Sequence, residues 1–462
     1  MTDPQPVGER VARALGDSFS GALHLPGNEP YDTERLAWMR VVESRPAAVA
    51  VASGAADIQA AVRAARDLDV PFAVQSTGHG AVRPSDGGLL LRTSSLNRVV
   101  VDPGARTALV EPGALWSDVI AAAAPHGLAP LSGTSSVGAL GFTLGGGIGW
   151  LSRRYGLAAD SLLSAEIVGA DGTLRTADAD SHRDLLWALR GGSGNFGAVT
   201  RYTIRLYPVR TVYAGAAFFP VERGGEGLAG YLEWAPTVPD EMSTAVLLMR
   251  MPPGPPIPEP MRGKQFLCLR VCFDGPASEG ERLLKPLLDT WGTPLMNGIA
   301  EMPFAQSGTA IAGPPPPPMV AAQEIDLFHE LPREAVDVMV AAAGADSPAP
   351  PMSTVEIRHW GGAMAAPGPD AGPAAHRDAP YSVITTAMIP GPQAAEGVTG
   401  WTKGLASRLR PYATGGTFLN FLIDPARTRS AFTEANWARL TEAKRKWDPD
   451  NVFRINHNIP PN

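Results

Sequence analysis

The sequence predicts an α+β fold in two main parts. Two observations carry this. Residues 45–210 alternate short β-branched strands with glycine-rich turns and a few helices. From about 210 to 415 proline becomes dense between strands, and helix and strand return in the last fifty residues. With 462 residues, 44% of them hydrophobic, the chain has ample material for a large core, and its length suits two or three domains.

The elements follow in order. MTDPQPVGERVARALG starts polar and continues as an amphipathic helix, without the basic, apolar and small-residue regions of a secretory signal. AADIQAAVRAARDLDVPFAV reads as a helix, with Ile58, Val62 and Ala65 on one face, running into a strand. GGLLLRTSSLN, RVVVDPG and TALVEPGA read as three strands with turn signals between them. ALWSDVIAAAAPHG is a helix closed by Gly127. The proline runs MPPGPPIPEP, GPPPPPM, SPAPPM and APGPDAGP are loops separating strands such as FLCLRVCF, STVEIRHW and YSVITTAM. ANWARLTEAKRKWDPDN is a helix stopped at Asp448-Pro449.

Composition excludes several classes. The net charge is −7 with no Lys/Arg cluster, against a nucleic-acid or anionic-membrane partner. No run approaches the ~18 apolar residues of a membrane span. Cys268 and Cys272 lie four apart on one strand, on the same face and too far apart for a good disulfide. They read as buried small residues, which fits a reducing cytoplasm.

Three segments invite a functional reading. FAVQSTGHGAVRP sets His79 between Gly78 and Gly80, a bulky ionisable ring where the neighbouring side chains have been removed. SGTSSVGALGFTLGGGIGWLSRRYGLAAD has glycines at 133, 138, 141, 145, 146, 147 and 149, a density that lets backbone N–H groups approach an anion such as a pyrophosphate. RGGSGNFGAVT contains a formal G-x-G-x-x-G. Here it follows the helical DLLWALR and enters a strand, the reverse of the dinucleotide-fold order, so the match is rejected.

Together TGHG, LGGGIGWLSRRYGLAADSLLSAEIVGADG, DLLWALRGGSGNFGAVT and WDPDNVFRINHNIPP resemble the berberine-bridge-enzyme-like branch of bacterial FAD-linked oxidases, within the vanillyl-alcohol-oxidase (p-cresol methylhydroxylase, PCMH) superfamily. The resemblance covers nearly the whole chain. It implies a PCMH-type FAD domain over 1–210 (core about 40–210), a substrate domain over 211–414 built on an antiparallel sheet backed by helices, and a segment 415–462 returning to the FAD domain.

It also implies FAD contacts from Gln75, Ser76, Thr77, Gly78, Gly80, Thr134, Ser135, Gly138, Gly141, Gly145, Gly146, Gly147, Gly149, Trp150, Val168, Gly194, Asn195, Gly197, Val199 and Asn458. His79 takes the position of the histidine bonded to the flavin 8α carbon, a link that raises the flavin potential and retains the cofactor. The chain departs from the family at four points. Thr134 stands where some relatives carry a second, cysteinyl link, so one link is implied. Gln75 and Thr77 replace the loop's arginine and a glycine. Phe418 replaces a common active-site tyrosine.

In the family, hydride leaves substrate carbon for flavin N5, a base takes the accompanying proton, and O2 reoxidises the flavin to give H2O2. The strand STVEIRHW resembles one lining the pocket. By period two, Thr354, Glu356 and Arg358 share one face, and Val355, Ile357 and His359 the other. Glu356 with Arg358 is a substrate-facing or a surface pair. His359 and Asn420 complete the catalytic candidates. No acid stands on YSVITTAM, where some relatives place a base; Thr385 and Thr386 lie near that point. Few charges and many Met, Phe and Pro in 210–415 favour an aromatic, polyketide-like or alkaloid-like substrate. The resemblance implies a role in secondary metabolism, and a cytoplasmic monomer or weak homodimer is expected. A flavin-assisted rearrangement without net oxidation is the alternative.

Overall fold

The computed structural model describes residues 6–255, 257 and 259–462. The first five residues of the amphipathic N-terminal segment lie outside that range; the helix itself runs Val7–Leu15. Three sheets carry the architecture. The first has four strands in the order Ala22–His24, Ala48–Val51, Leu89–Arg92, Phe72–Gln75, with the last three parallel. Helix Ala55–Asp67 makes the crossover, burying Ile58, Val62 and Ala65 as its spacing predicts. The second sheet is antiparallel, in the order Val99–Asp102, Thr107–Val110, Ala198–Arg205, Leu162–Val168, Leu174–Ala177.

The third sheet has eight antiparallel strands. Its centre is Thr211–Pro220, Gln265–Phe273, Met242–Arg250, Ser353–His359, Tyr381–Met388 and Ala321–Phe328. One face packs under helices Gly224–Trp234, Ala277–Trp291, Arg333–Ala343 and Ala395–Leu409, where Val246, Leu248, Leu269, Val355 and Ile357 are buried. Fully burying each such side chain contributes about 1.5–3 kcal/mol. The other face turns toward the first two sheets, and several of its side chains keep partial access.

Residues 415–462 pack on the first two sheets. Leu419, Leu422, Phe432, Leu440 and Ile459 join the core of the second, and Val452 and Phe453 that of the first. The G-x-G-x-x-G match lies after helix Arg183–Leu189 and before strand Ala198–Arg205, which upholds its rejection. Cys268 and Cys272 are buried, free thiols of one strand, and burial pushes Cys268 up to about 12. No described helix is long and apolar enough to cross a membrane. The polyproline run ends against the first domain: Met319 N–H donates to Trp38 O at 3.2 Å, and Arg40 N–H to Met319 O at 2.8 Å.

Candidate active site

Four loops meet at the edge shared by the first two sheets. The first leaves strand Phe72–Gln75. Gln75 Nε2 donates to Leu36 O at 3.1 Å, and Gly78 takes φ +78°, which turns the chain back. The turn presents His79 flat on Trp38, with ring centroids 3.9 Å apart and planes at 13°. Thr77 Oγ1 lies 2.9 Å from His79 Nδ1. Burial pushes the imidazole down to about 4, so at neutral pH it is uncharged and keeps a lone pair. Ser76 and Thr77 sit against Gly138, where a Cβ would come within 3.1 Å of Ser76 Oγ and 3.4 Å of Thr77 Oγ1.

The second loop is the glycine-rich run. Thr134 and Ser135 turn it through their carbonyls, which accept from Val137 N–H at 3.0 Å and Ser117 N–H at 2.9 Å. Gly145, Gly146 and Gly147 follow the short helix Ala139–Leu144, and Gly149 backs onto Ser132. Asn420 reaches this run from the C-terminal segment. Its Oδ1 accepts from Gly147 N–H at 2.7 Å, and its Nδ2 donates to Phe142 O at 2.9 Å. The amide thus holds the glycine run at both ends, and one Nδ2–H remains over.

The third and fourth loops are 192–197 and 454–459. Asn195, fully buried, donates to Gly192 O at 2.8 Å and His457 O at 3.0 Å, and accepts from Ile459 N–H at 2.9 Å. Its side chain therefore clamps the two loops, which leaves its backbone N–H for the expected cofactor contact. Val168 and Val199 are buried in the cores, leaving them backbone at most for a ligand, and Gly197 packs on Ile167. Asn456 links the set. Its Nδ2 donates to Gly194 O at 3.1 Å, while its carbonyl accepts from Arg83 Nε at 3.1 Å.

His457 sits inside this knot, its Nε2 3.0 Å from Leu422 O and its Nδ1 2.9 Å from Thr428 Oγ1, whose hydroxyl donates to Pro425 O at 2.8 Å. Burial pushes it down from 6.5 to about 4. Its neutral form is the folded form, so stability is full above 6.5 and falls as the pH drops from 6.5 toward 4, by about 1.4 kcal/mol per pH unit. His457→Gln should flatten that acid limb of the urea-unfolding profile; an unchanged slope refutes the assignment.

The open face of the large sheet lies beyond Trp150. Glu356 and Arg358 are on it, and Glu356 is gripped by Arg270 at 2.9 Å and by Arg358 Nε. Burial works against the Glu356 charge, but Arg358 and Arg270 outweigh it and hold the carboxyl below its ordinary value. Thr386 lies on this face beside Gln323, whereas Thr385 is buried on the other. His359, a catalytic candidate of the same strand, lies apart from this pair. It projects from the helix-covered face, packs near Tyr381 and lies 3.3 Å from buried Arg153; burial, then Arg153, pushes it down to about 3. Strand alternation puts it one sheet thickness away from Glu356. Phe418 is buried against Trp360.

The four-loop edge fits a long polar ligand. Gly80 and Gly141 have no atom within 4 Å of a would-be Cβ, and Gly194 has only Asn456 Nδ2 at 4.0 Å; none of the three takes a positive φ. Neither packing nor backbone strain requires these glycines, and each leaves room for a ligand to approach the backbone. Ser136 Oγ, Asn456 Oδ1 and Asn458 Oδ1 are buried at this edge without partners. Ser136, Asn456, Trp38 and Arg270 escaped sequence reasoning. The first two stand in SGTSSVG and INHN beside residues that were singled out, but Trp38 and Arg270 carry no local signal.

The profile of the FAD binding domain family matches residues 46–178, and that of the berberine and berberine-like family residues 417–460. The chain is 28% identical over 459 residues to a FAD-linked oxidoreductase of Dictyostelium discoideum, spanning 98% of this chain and 97% of that one. The structure of 6-hydroxy-D-nicotine oxidase from Arthrobacter nicotinovorans matches with TM-score 0.85 at 25% identity, over 96% of this chain and 99% of that one. Berberine bridge enzyme from Eschscholzia californica shares the fold, with TM-score 0.84 at 20% identity over 99% of each chain. Fold and site thus define an enzyme, an FAD-linked oxidoreductase with a PCMH-type FAD-binding fold. Within that class its C-terminal segment, residues 417–460, is of the berberine and berberine-like type.

Proposed function

We propose that the protein is an oxidase of a small, largely apolar organic molecule, with FAD held at the four-loop edge and O2 as final acceptor. The observation that carries this is the open face of the large sheet. Phe218 and Met249 stand on it around Ala216, Ala245, Leu247 and Cys268, with Trp150 packed against them. Such a surface holds an apolar body, and Gln323, Thr354 and Thr386 supply a few orienting groups beside it. FAD, when bound, supplies the acceptor for a hydride and the route by which O2 takes up two electrons and two protons as H2O2. The chain's own part is to bind, orient and shield the substrate.

No unclamped acid or phenol is found among the residues named on this face, since Glu356 is ionised between two arginines and Phe418 carries no hydroxyl. That observation favours a second reading, a rearrangement without net oxidation. Oxygen uptake separates the two: product formed without O2 consumption leaves only the rearrangement. We further propose a cytoplasmic enzyme of secondary metabolism, monomeric or weakly dimeric.

A single covalent link through His79 completes the proposal, supported by a neutral, glycine-flanked imidazole held by Trp38 and Thr77. Acid precipitation of the yellow protein tests it. The colour is expected in the pellet, and His79→Ala should move it to the supernatant. Colour in the wild-type supernatant would sink the covalent link, with Gln75 and Thr77 as its cause.

A further inference from the structure

We infer that Arg270 and Arg358 select a substrate carrying a planar carboxylate on its apolar body. The inference rests on the oxidase reading and names its substrate class. Both arginines pair in register with Ala245 from opposite sides, so the small residue between them lets the two guanidiniums converge on Glu356. Glu356 is the sole carboxylate within ion-pair reach of either, among the described residues. The cluster therefore keeps one positive charge in excess. Alternation and register put Gln323, Thr386, Thr354, Met249, Leu247 and Cys268 around it, none of them acidic.

The donors are also in excess. Arg358 spends Nε on Glu356, and its terminal nitrogens have no hydrogen-bond partner among the described residues. Arg270 spends one terminal nitrogen, and its Nε is buried without a partner. The Arg358 guanidinium lies 5.3 Å from the Trp150 ring, 5.5 Å from Phe421 and 5.8 Å from Trp360. Rings around a guanidinium favour a flat, conjugated body, and the fork of N–H groups matches a carboxylate in two places. Glu356 orients the two forks and leaves them cationic. Such a carboxylate fixes which bond of the substrate faces the cofactor site, so these arginines are specificity-determining residues.

The test compares 2-naphthoate with its neutral isostere 2-naphthamide, titrated into the holoenzyme and followed by the flavin difference spectrum. Naphthoate is expected to bind about tenfold or more tightly than the amide, the worth of a charge-assisted hydrogen bond. Arg358→Met should remove that preference and leave amide binding nearly unchanged, and Arg358→Lys should restore part of it. Glu356→Gln should strengthen naphthoate binding, an outcome that a purely structural ion pair would not produce. Equal binding of acid and amide to the wild type overturns the inference, as does a parallel loss of both ligands in Arg358→Met. O2 uptake with neutral substrates and no acid preference would leave the oxidase reading standing without this one. Acid preference in a protein that consumes no O2 with any substrate would do the reverse.

Discussion

Lys444→Met is expected to cost about 3–5 kcal/mol of folding stability, the usual result of breaking a fully buried ion pair from one side. Lys444 and Asp448 are both completely buried, with Nζ 2.6 Å from the carboxylate. Nζ also donates to Asn195 O at 2.8 Å and Phe453 O at 3.0 Å. Asp448 in turn accepts from Val452 N–H at 2.8 Å and Phe453 N–H at 2.9 Å. The pair thus ties the end of helix Glu434–Trp447 to the 192–197 loop and to the last strand-like segment of the chain. Removing the ammonium strands a carboxylate and two carbonyls where no water reaches them. Urea unfolding followed by tryptophan fluorescence measures the loss. Lys444→Met combined with Asp448→Asn should recover part of it, because the stranded charge goes too. A single-variant loss under about 1 kcal/mol would show that the Lys444–Asp448 pair does not hold these segments together.

Gly149→Ala is expected to disable cofactor binding and to destabilise the protein by about 2–3 kcal/mol, an overpacking penalty. A Cβ at this position would lie 2.1 Å from Ser132 O and 3.1 Å from Ser132 C. Backbone oxygen has no rotamer by which to yield, so the two ends of the glycine-rich run must part. Their separation carries away Gly147, whose N–H is held by Asn420, and Trp150, which faces Arg358. Gly404→Ala is the control. Its Cβ meets nothing within 4 Å, and helix Ala395–Leu409, away from the site, should gain up to about 1 kcal/mol from it. Purification with a wild-type flavin-to-protein absorbance ratio for Gly149→Ala would show that the close approach is dispensable.

The identity and order of the elements were legible because each rests on local patterns. Period two marks Ser353–His359, period 3.6 marks Ala55–Asp67, and Gly127 in the left-handed conformation closes the helix before it. The glycine-flanked histidine and the glycine-rich run were visible as departures from ordinary packing sequences. Local pattern also separated the faces of STVEIRH correctly, but it did not say which face is covered by helices. That choice removed His359 from the site and kept Glu356 and Arg358 in it.

By itself the sequence determined that the chain builds strands and helices in this order, that backbone is laid bare around His79 and Gly145–Gly149, and that no second, cysteinyl attachment is open at Thr134. Those properties belong to single residues and their neighbours. Tertiary structure alone decided how polar side chains divide between protein and ligand. Asn195 has both amide hydrogens and its oxygen engaged inside the fold, and Asn420 has both amide ends engaged, whereas Ser136, Asn456 and Asn458 each retain an oxygen without a partner among the described residues. It also decided that Arg270 joins Glu356 across the intervening strand at Ala245. The physical reason is that a hydrogen bond or ion pair is settled by a distance of about 3 Å between atoms, and chain separations of 86 to 273 residues carry no local trace of it.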